Sequence, residues 1–189
     1  MTTGAKRSSR DRLLDAASSL TYLEGVNIGI EALCKAAGVS KRSMYQLFDS
    51  KDELLAASLR QRGPAYAAAL LPAADDGRPP RERILHVFEQ LEEQAAAPSY
   101  RGCPYLAAQI ELKDAEHPAS RVARQAKQAL ADFFHAEAVR GGATDPDLLA
   151  RQLIMVFDGA SARAGIQADP ATGLAVATVL TLLDAAGLR

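Results

Sequence analysis

Apolar residues recur along the chain at intervals of three and four, and no stretch alternates apolar with polar for a useful length. That pattern predicts helices throughout. It is clearest between Glu31 and Asp49, where Ile30, Leu33, Cys34 and Ala37 share one helical face. Gly38 follows at once and suits a left-handed helix stop. Ser40 stands where an N-cap belongs, and Val39, Met44, Leu47 and Phe48 can then face inward on a second short helix. A helix, a tight glycine turn and a helix are expected here.

Other elements follow the same logic. A first helix is expected over Asp11–Glu24, with Leu13, Ala16, Ala17, Leu20 and Leu23 inward and Gly25 at its end. Asn27 is the candidate cap for the next helix. Ser50-Lys51-Asp52-Glu53 reads as a capping box. The helix it opens should run to about Arg62, where Gly63-Pro64 ends or kinks it, with Tyr66 to Leu71 able to resume it. Asp75–Pro80 is a linker. Helices are then expected over 81–97 (Ile84, Leu85, Phe88 and Leu91 inward), 105–112 and 119–140 (Val122, Ala126, Leu130, Phe133 and Phe134 on one side). His117 should shape the start of the last of these. Asp145-Pro146 and Asp169-Pro170 are matching helix starts, opening helices over 146–165 and 170–187 that are rich in glycine and alanine. The expectation is an all-α chain of about nine helices.

The outward face of the helix after Gly38 carries Lys41, Arg42, Ser43, Tyr45 and Gln46. Two cations, small hydrogen-bonding groups and a phenol can neutralise phosphates and probe base edges. The same residues also suit a plain helical hairpin with a solvated polar face. Lys51 lies in the first turn of its helix, where a cation opposes the helix dipole, so a docking phosphate would give it a purpose.

The run AAGVSKRSMYQLFDSKDELL resembles the signature of the tetracycline-repressor (TetR) family of bacterial transcriptional regulators. Ala37-Gly38-Val39-Ser40, the spacing of Tyr45 and Phe48, and Ser50-Lys51 leading into Glu53-Leu54-Leu55 carry the match. RGCPYLAAQIEL, the Asp-x-x-His-Pro step and the later DGA resemble one branch of it more loosely. The resemblance implies a three-helix helix-turn-helix DNA-binding head over 1–50 and a connecting helix over about 51–71. A ligand-binding and dimerisation body would span 72–189. It implies that Ser40, Lys41, Arg42, Ser43, Tyr45, Gln46 and Lys51 meet double-stranded operator DNA. It also implies a homodimer through the last two helices, whose small residues serve intrachain packing equally well. Family members usually carry a threonine near position 28 as a cap and backbone contact; Ile28 and Gly29 stand here instead.

Charge refines this picture slightly. Net charge is −1, yet the first 62 residues hold ten basic and seven acidic side chains against twelve and sixteen in the remainder. A mildly basic head on an acidic body suits DNA contact at one end. Lys6 and Arg7 lie in a basic N-terminal stretch that is either a disordered tail or an arm to the minor groove. The two cysteines, Cys34 and Cys103, are far apart and suit a reducing cytoplasm, and neither a signal peptide nor a membrane span is expected.

In the body, Cys103, Tyr105, Gln109, His135, Phe157 and Asp158 are candidates for lining the pocket of an unknown small-molecule effector. Each is equally an ordinary core or surface residue. His86, His117 and His135 lack a metal spacing, and no catalytic arrangement or cofactor fingerprint appears. The reading is a ligand-released DNA-binding repressor. The alternatives are an all-helical enzyme or carrier with the head as an interaction module, and a redox switch through Cys103.

Overall fold

A computed structural model describes residues 7–167 and 173–188. Among these the chain forms nine helices and no strand. They are α1 (Ser9–Glu24), α2 (Ile30–Ala37), α3 (Lys41–Leu47), α4 (Lys51–Leu70), α5 (Pro80–Ala95), α6 (Pro104–Leu112), α7 (Pro118–Arg140), α8 (Pro146–Gly165) and α9 (Leu174–Ala185). No helix among the described residues is long and apolar enough to cross a membrane.

Two compact units divide the chain. One comprises Met1–Gly63 with Ala107–Arg124, and the other Pro64–Leu106 with Gln125–Arg189. In the first, α1, α2 and α3 pack on one another around Leu13, Leu14, Ala17, Leu33, Cys34, Ala37, Val39, Met44, Phe48 and Leu54. Each fully buried Leu, Met or Phe contributes roughly 1.5–3 kcal/mol. The first helix begins earlier than expected because Ser8 caps it. The Ser8 hydroxyl accepts from Asp11 N–H, and the Asp11 carboxylate accepts from Ser8 N–H in return. The buried face of α1 takes in Leu14, while Leu23, expected inward, is exposed at the helix end. Gly25 (φ +93°) ends α1.

Asn27 does not cap α2. The N-cap is Gly29, which has no side chain to accept the free amides. Gly38 (φ 60°) makes the left-handed turn, and Ser40 caps α3 by accepting from Ser43 N–H at 3.0 Å. Leu47 is 39% exposed, while Val39, Met44 and Phe48 are buried. At 100° per residue, position 47 has already rotated away from the face that Met44 buries. Pro64 does not stop α4, which runs through it. Proline removes one backbone donor, and the flanking hydrogen bonds carry the helix past that gap.

In the second unit, α5, α8 and α9 pack together. Phe88 stacks on Phe134 with ring centroids 5.6 Å apart and meets Phe157 edge-on at 6.3 Å. Val87 and Arg83 join Ile84, Phe88 and Leu91 on the buried face of α5, while Leu85 is only half-buried. Arg83 is paired and hydrogen-bonded: Nε donates to Glu137 Oε1 at 2.9 Å, and Nη1 to the carbonyls of Ala73 and Asp76 at 3.0 Å. Asp145 caps α8 as expected. Asp169-Pro170 lies outside the described residues, as does Lys6. The N-terminus of α9 is capped from α5, where the Glu92 carboxylate accepts from the amides of Gly173, Ala175 and Val176.

Candidate nucleic-acid interface

The α2–α3 pair presents one polar face. Met44 anchors α3, so helical rotation sends Arg42 and Gln46 directly away from the core, with Lys41 and Tyr45 on one flank and Ser43 and Leu47 on the other. Lys41, Arg42, Tyr45 and Gln46 are all exposed, Tyr45 by 51%. Ser40 and Ser43 are less free. Their hydroxyls lie 2.8 Å apart, and Ser40 is occupied by its cap. Lys41 faces Glu31 at 3.9 Å across an exposed pair, too loose to hold it from another anion. Burial pushes the Cys34 thiol upward, so this cysteine stays a protonated core residue.

Lys51 has a job inside the fold that the sequence concealed. Its ammonium donates to the Val26 carbonyl at 2.9 Å, tying the start of α4 to the α1–α2 loop. Folding therefore does use this cation, contrary to the dipole argument, although two of its three N–H groups remain for other acceptors. Other cations pack against the same unit. Arg12 Nε donates to the Ala37 carbonyl at the end of α2, and the Arg10 guanidinium lies 5.2 Å from the Phe48 ring centroid. Arg7 pairs with Asp15. His117 accepts at Nδ1 from Ala119 N–H, shaping the start of α7 as expected.

The body candidates separate into unlike places. Cys103 and Tyr105 are buried and meet around Tyr66. The Tyr66 and Tyr105 rings are 5.3 Å apart edge-to-face, and the Cys103 side chain neighbours the Tyr66 phenol. Burial, then these neighbours, pushes the Tyr66 phenol far above its usual range. Ser161 supports the same corner, accepting from Cys103 N–H at 2.7 Å and lying 3.3 Å from the Tyr100 hydroxyl. Phe157 is core, with the Lys127 ammonium 4.8 Å from its ring centroid, and Lys127 also pairs with Asp158. His135 sits on the surface against Asp147 at 3.2 Å, and Gln109 is half-buried on α6. Tyr66, Tyr100, Lys127 and Ser161 were not singled out by sequence. Only contact across the fold gathers them.

Cavities lined by described residues of the second unit include two open ones. One of about 220 Å³ is lined by Ala95–Pro98, Tyr100, Ala164 and Gln167. The other, about 270 Å³, is lined by Thr144, Asp145, Leu148, Leu149, Gln152, Leu182, Ala185 and Ala186. None of the six candidates lines either. Among the described residues no cluster of three His, Cys, Asp or Glu could hold a metal ion.

Similarity to known proteins bears directly on this surface. Residues 13–58 match the family model for bacterial regulatory proteins of the tetR family. The chain is 26% identical to the HTH-type transcriptional regulator YjdC of Escherichia coli strain K12 over 158 residues, 82% of each protein. Among solved structures, a protein assigned to the TetR transcriptional regulators of Streptomyces avermitilis is 70% identical, with a TM-score of 0.95 over 97% of this chain and 100% of its own. A TetR-family regulator of Streptomyces coelicolor is 27% identical, with a TM-score of 0.86 over 94% and 95% of the two chains. Helical architecture, exposed basic α3 and these likenesses agree: the chain belongs to the TetR family of DNA-binding transcriptional regulators.

Proposed function

We propose that the protein is a dimeric repressor released from its operator by a small-molecule effector, with α3 as the element that enters the major groove. The outward face of α3 carries this reading. Arg42 and Gln46 point straight out and match base edges, while Lys41, Tyr45 and the spare donors of Lys51 suit phosphates on either side. Ser40 and Ser43 pack close to the duplex as small groups. In this reading residues 1–50 form the DNA-binding head, α4 connects, and residues 72–189 serve effector binding and dimerisation.

The dimer is proposed through α8 and α9. Leu148, Met155 and Ile166 fall on one face of α8 or just past its end, and are 48%, 69% and 75% exposed. Gly159 and Ala162 lie between them on the same face. Leu174 at the start of α9 is 58% exposed beside the exposed Ala177. Such an apolar stripe is costly in water and favours a second copy. Two-fold pairing would present two α3 helices about 34–36 Å apart, or a multiple, along one face of DNA. An effector that altered this spacing would release the operator. Family habit and the buried tyrosine-lined corner around Cys103 support an effector site in the body. Cys103 is only 3% exposed, which disfavours it as a first target of oxidants.

Binding to the DNA upstream of the protein's own gene tests the assignment. Arg42→Ala and Tyr45→Ala should each lose binding. If both bind like the parent, α3 is not the reading element.

A further inference from the structure

We propose that Glu111, at the end of α6, is a positioning residue for DNA binding that holds the loop opening the helix-turn-helix. The inference rests on the reading of α3 as the DNA-facing helix. The Gly29 cap leaves α2 without a side chain to fix its start. The preceding loop is held instead through the backbone of Val26. Its N–H donates to Glu111 Oε2 at 2.7 Å, and its carbonyl accepts from Lys51 Nζ at 2.9 Å. An anion and a cation thus grip the same residue from opposite sides, and hydrogen bonds to charged partners are the stronger kind.

Close fit accompanies these bonds. Gly25 has φ +93°, and a Cβ there would stand 2.5 Å from Glu111 Oε2, so the carboxylate occupies the space a larger residue would need. The same segment also reaches the far side of the pair. Asp52, in the first turn of α4, lies 3.3 Å from His117 Nε2. One stretch, Ala107–Arg124, therefore bounds the α2–α3 pair before its start and after its end, within a single compact unit. Base recognition needs donor and acceptor within a few tenths of an ångström of ideal placement. A loosened α1–α2 loop would let α2, and α3 with it, drift from that placement.

The sign of the effect separates positioning from mere presence. A bystander carboxylate near a DNA-binding surface repels phosphates, so removing it should tighten binding. Glu111→Gln and Glu111→Ala remove the same charge, but only the glutamine retains an acceptor for Val26 N–H. Affinity would be measured by fluorescence anisotropy against a duplex that the parent protein selects from a randomised pool, with circular dichroism confirming folded protein at the assay temperature. Glu111→Gln should bind as tightly as the parent or tighter. Glu111→Ala should bind at least about fivefold more weakly, with an unchanged salt dependence. The proposal is overturned if the alanine variant binds as tightly as the parent, or if the glutamine variant loses as much as the alanine. Arg42→Ala keeps the two failures apart. Loss of binding there with none in Glu111→Ala overturns this inference alone, whereas a parent protein that selects no sequence overturns the DNA reading as well.

Discussion

Ser40 offers a way to separate the folding of α3 from its contact with DNA, because two substitutions act in opposite order on the two properties. Its hydroxyl accepts from Ser43 N–H at 3.0 Å, and the seven residues of α3 leave little other local support. Ser40→Ala removes that cap and should cost about 1 kcal/mol of stability. Ser40→Asp keeps an acceptor of equal rank and adds a carboxylate at the positive end of the helix, so its stability should match the parent or exceed it by roughly 0.3–1 kcal/mol. On DNA the order reverses. Val39, Met44 and Phe48 still anchor α3 in the alanine variant, so its affinity should fall by no more than about fivefold, the equivalent of the lost cap. The aspartate places a negative charge on the surface assigned to phosphates. At about 4 Å, repulsion from one phosphate lies between roughly 1 kcal/mol in bulk water and 4 kcal/mol near a protein surface. The loss should therefore be at least about fivefold and up to several hundredfold, and, unlike the loss in the alanine variant, it should shrink as salt is raised. Urea unfolding followed by circular dichroism gives the first ranking, and anisotropy titrations over a salt series give the second. Parent-like DNA binding by Ser40→Asp would show that the start of α3 does not approach the backbone.

Other expectations concern the second unit. Glu137→Ala strands the buried Arg83 guanidinium, whose partners would fall to two carbonyls, and should cost about 3–5 kcal/mol in urea unfolding; a loss below about 1 kcal/mol would contradict the burial of that pair. Met155→Arg puts a charge in the middle of the exposed apolar stripe of α8, and sedimentation should show dimers for the parent and monomers for the variant; a monomeric parent would contradict the proposed interface. Tyr66 carries a pH signature. Its phenol stays protonated in the folded chain where an unfolded tyrosine ionises near 10.0, so stability is intact below that pH and declines as the pH rises past it. Ultraviolet titration should find one fewer ionising phenol in Tyr66→Phe only after unfolding; ionisation of Tyr66 in the folded protein near pH 10 would refute the desolvation of its phenol.

Much of the head was legible because its signals are local. Gly38, Ser40 and the Ile30–Ala37 periodicity act within one or two turns, and each is found in place. Periodicity places residues on a common face but leaves the edge of that face open, which is why it predicts Leu23 and Leu47 inward, where both are exposed, and does not single out the buried Leu14. Gly63-Pro64 marks an end or a kink by local propensity, yet α4 continues through it, since one missing donor does not stop a helix whose other hydrogen bonds are kept. What sequence hides most completely is partnership at a distance. Glu111 meets Val26 across 85 positions, Arg83 meets Glu137 across 54, and Glu92 caps α9 across 81 and more. None of these side chains stands out in its own neighbourhood. The six pocket candidates rest on residue type alone; in the fold Cys103 and Tyr105 share one corner beside Tyr66, and Phe157 and Asp158 both meet Lys127.

The central claim is that two copies of α3 read one duplex. Hydroxyl-radical footprinting of the parent on a selected duplex, with the protein-to-DNA ratio measured in the same complex, tests it most directly. The account predicts two chains per duplex and two protected half-sites on one face, spaced about 34–36 Å or a multiple apart, with Arg42→Ala erasing the base preference in both. One chain per duplex, or a single protected patch that survives Arg42→Ala, would contradict it.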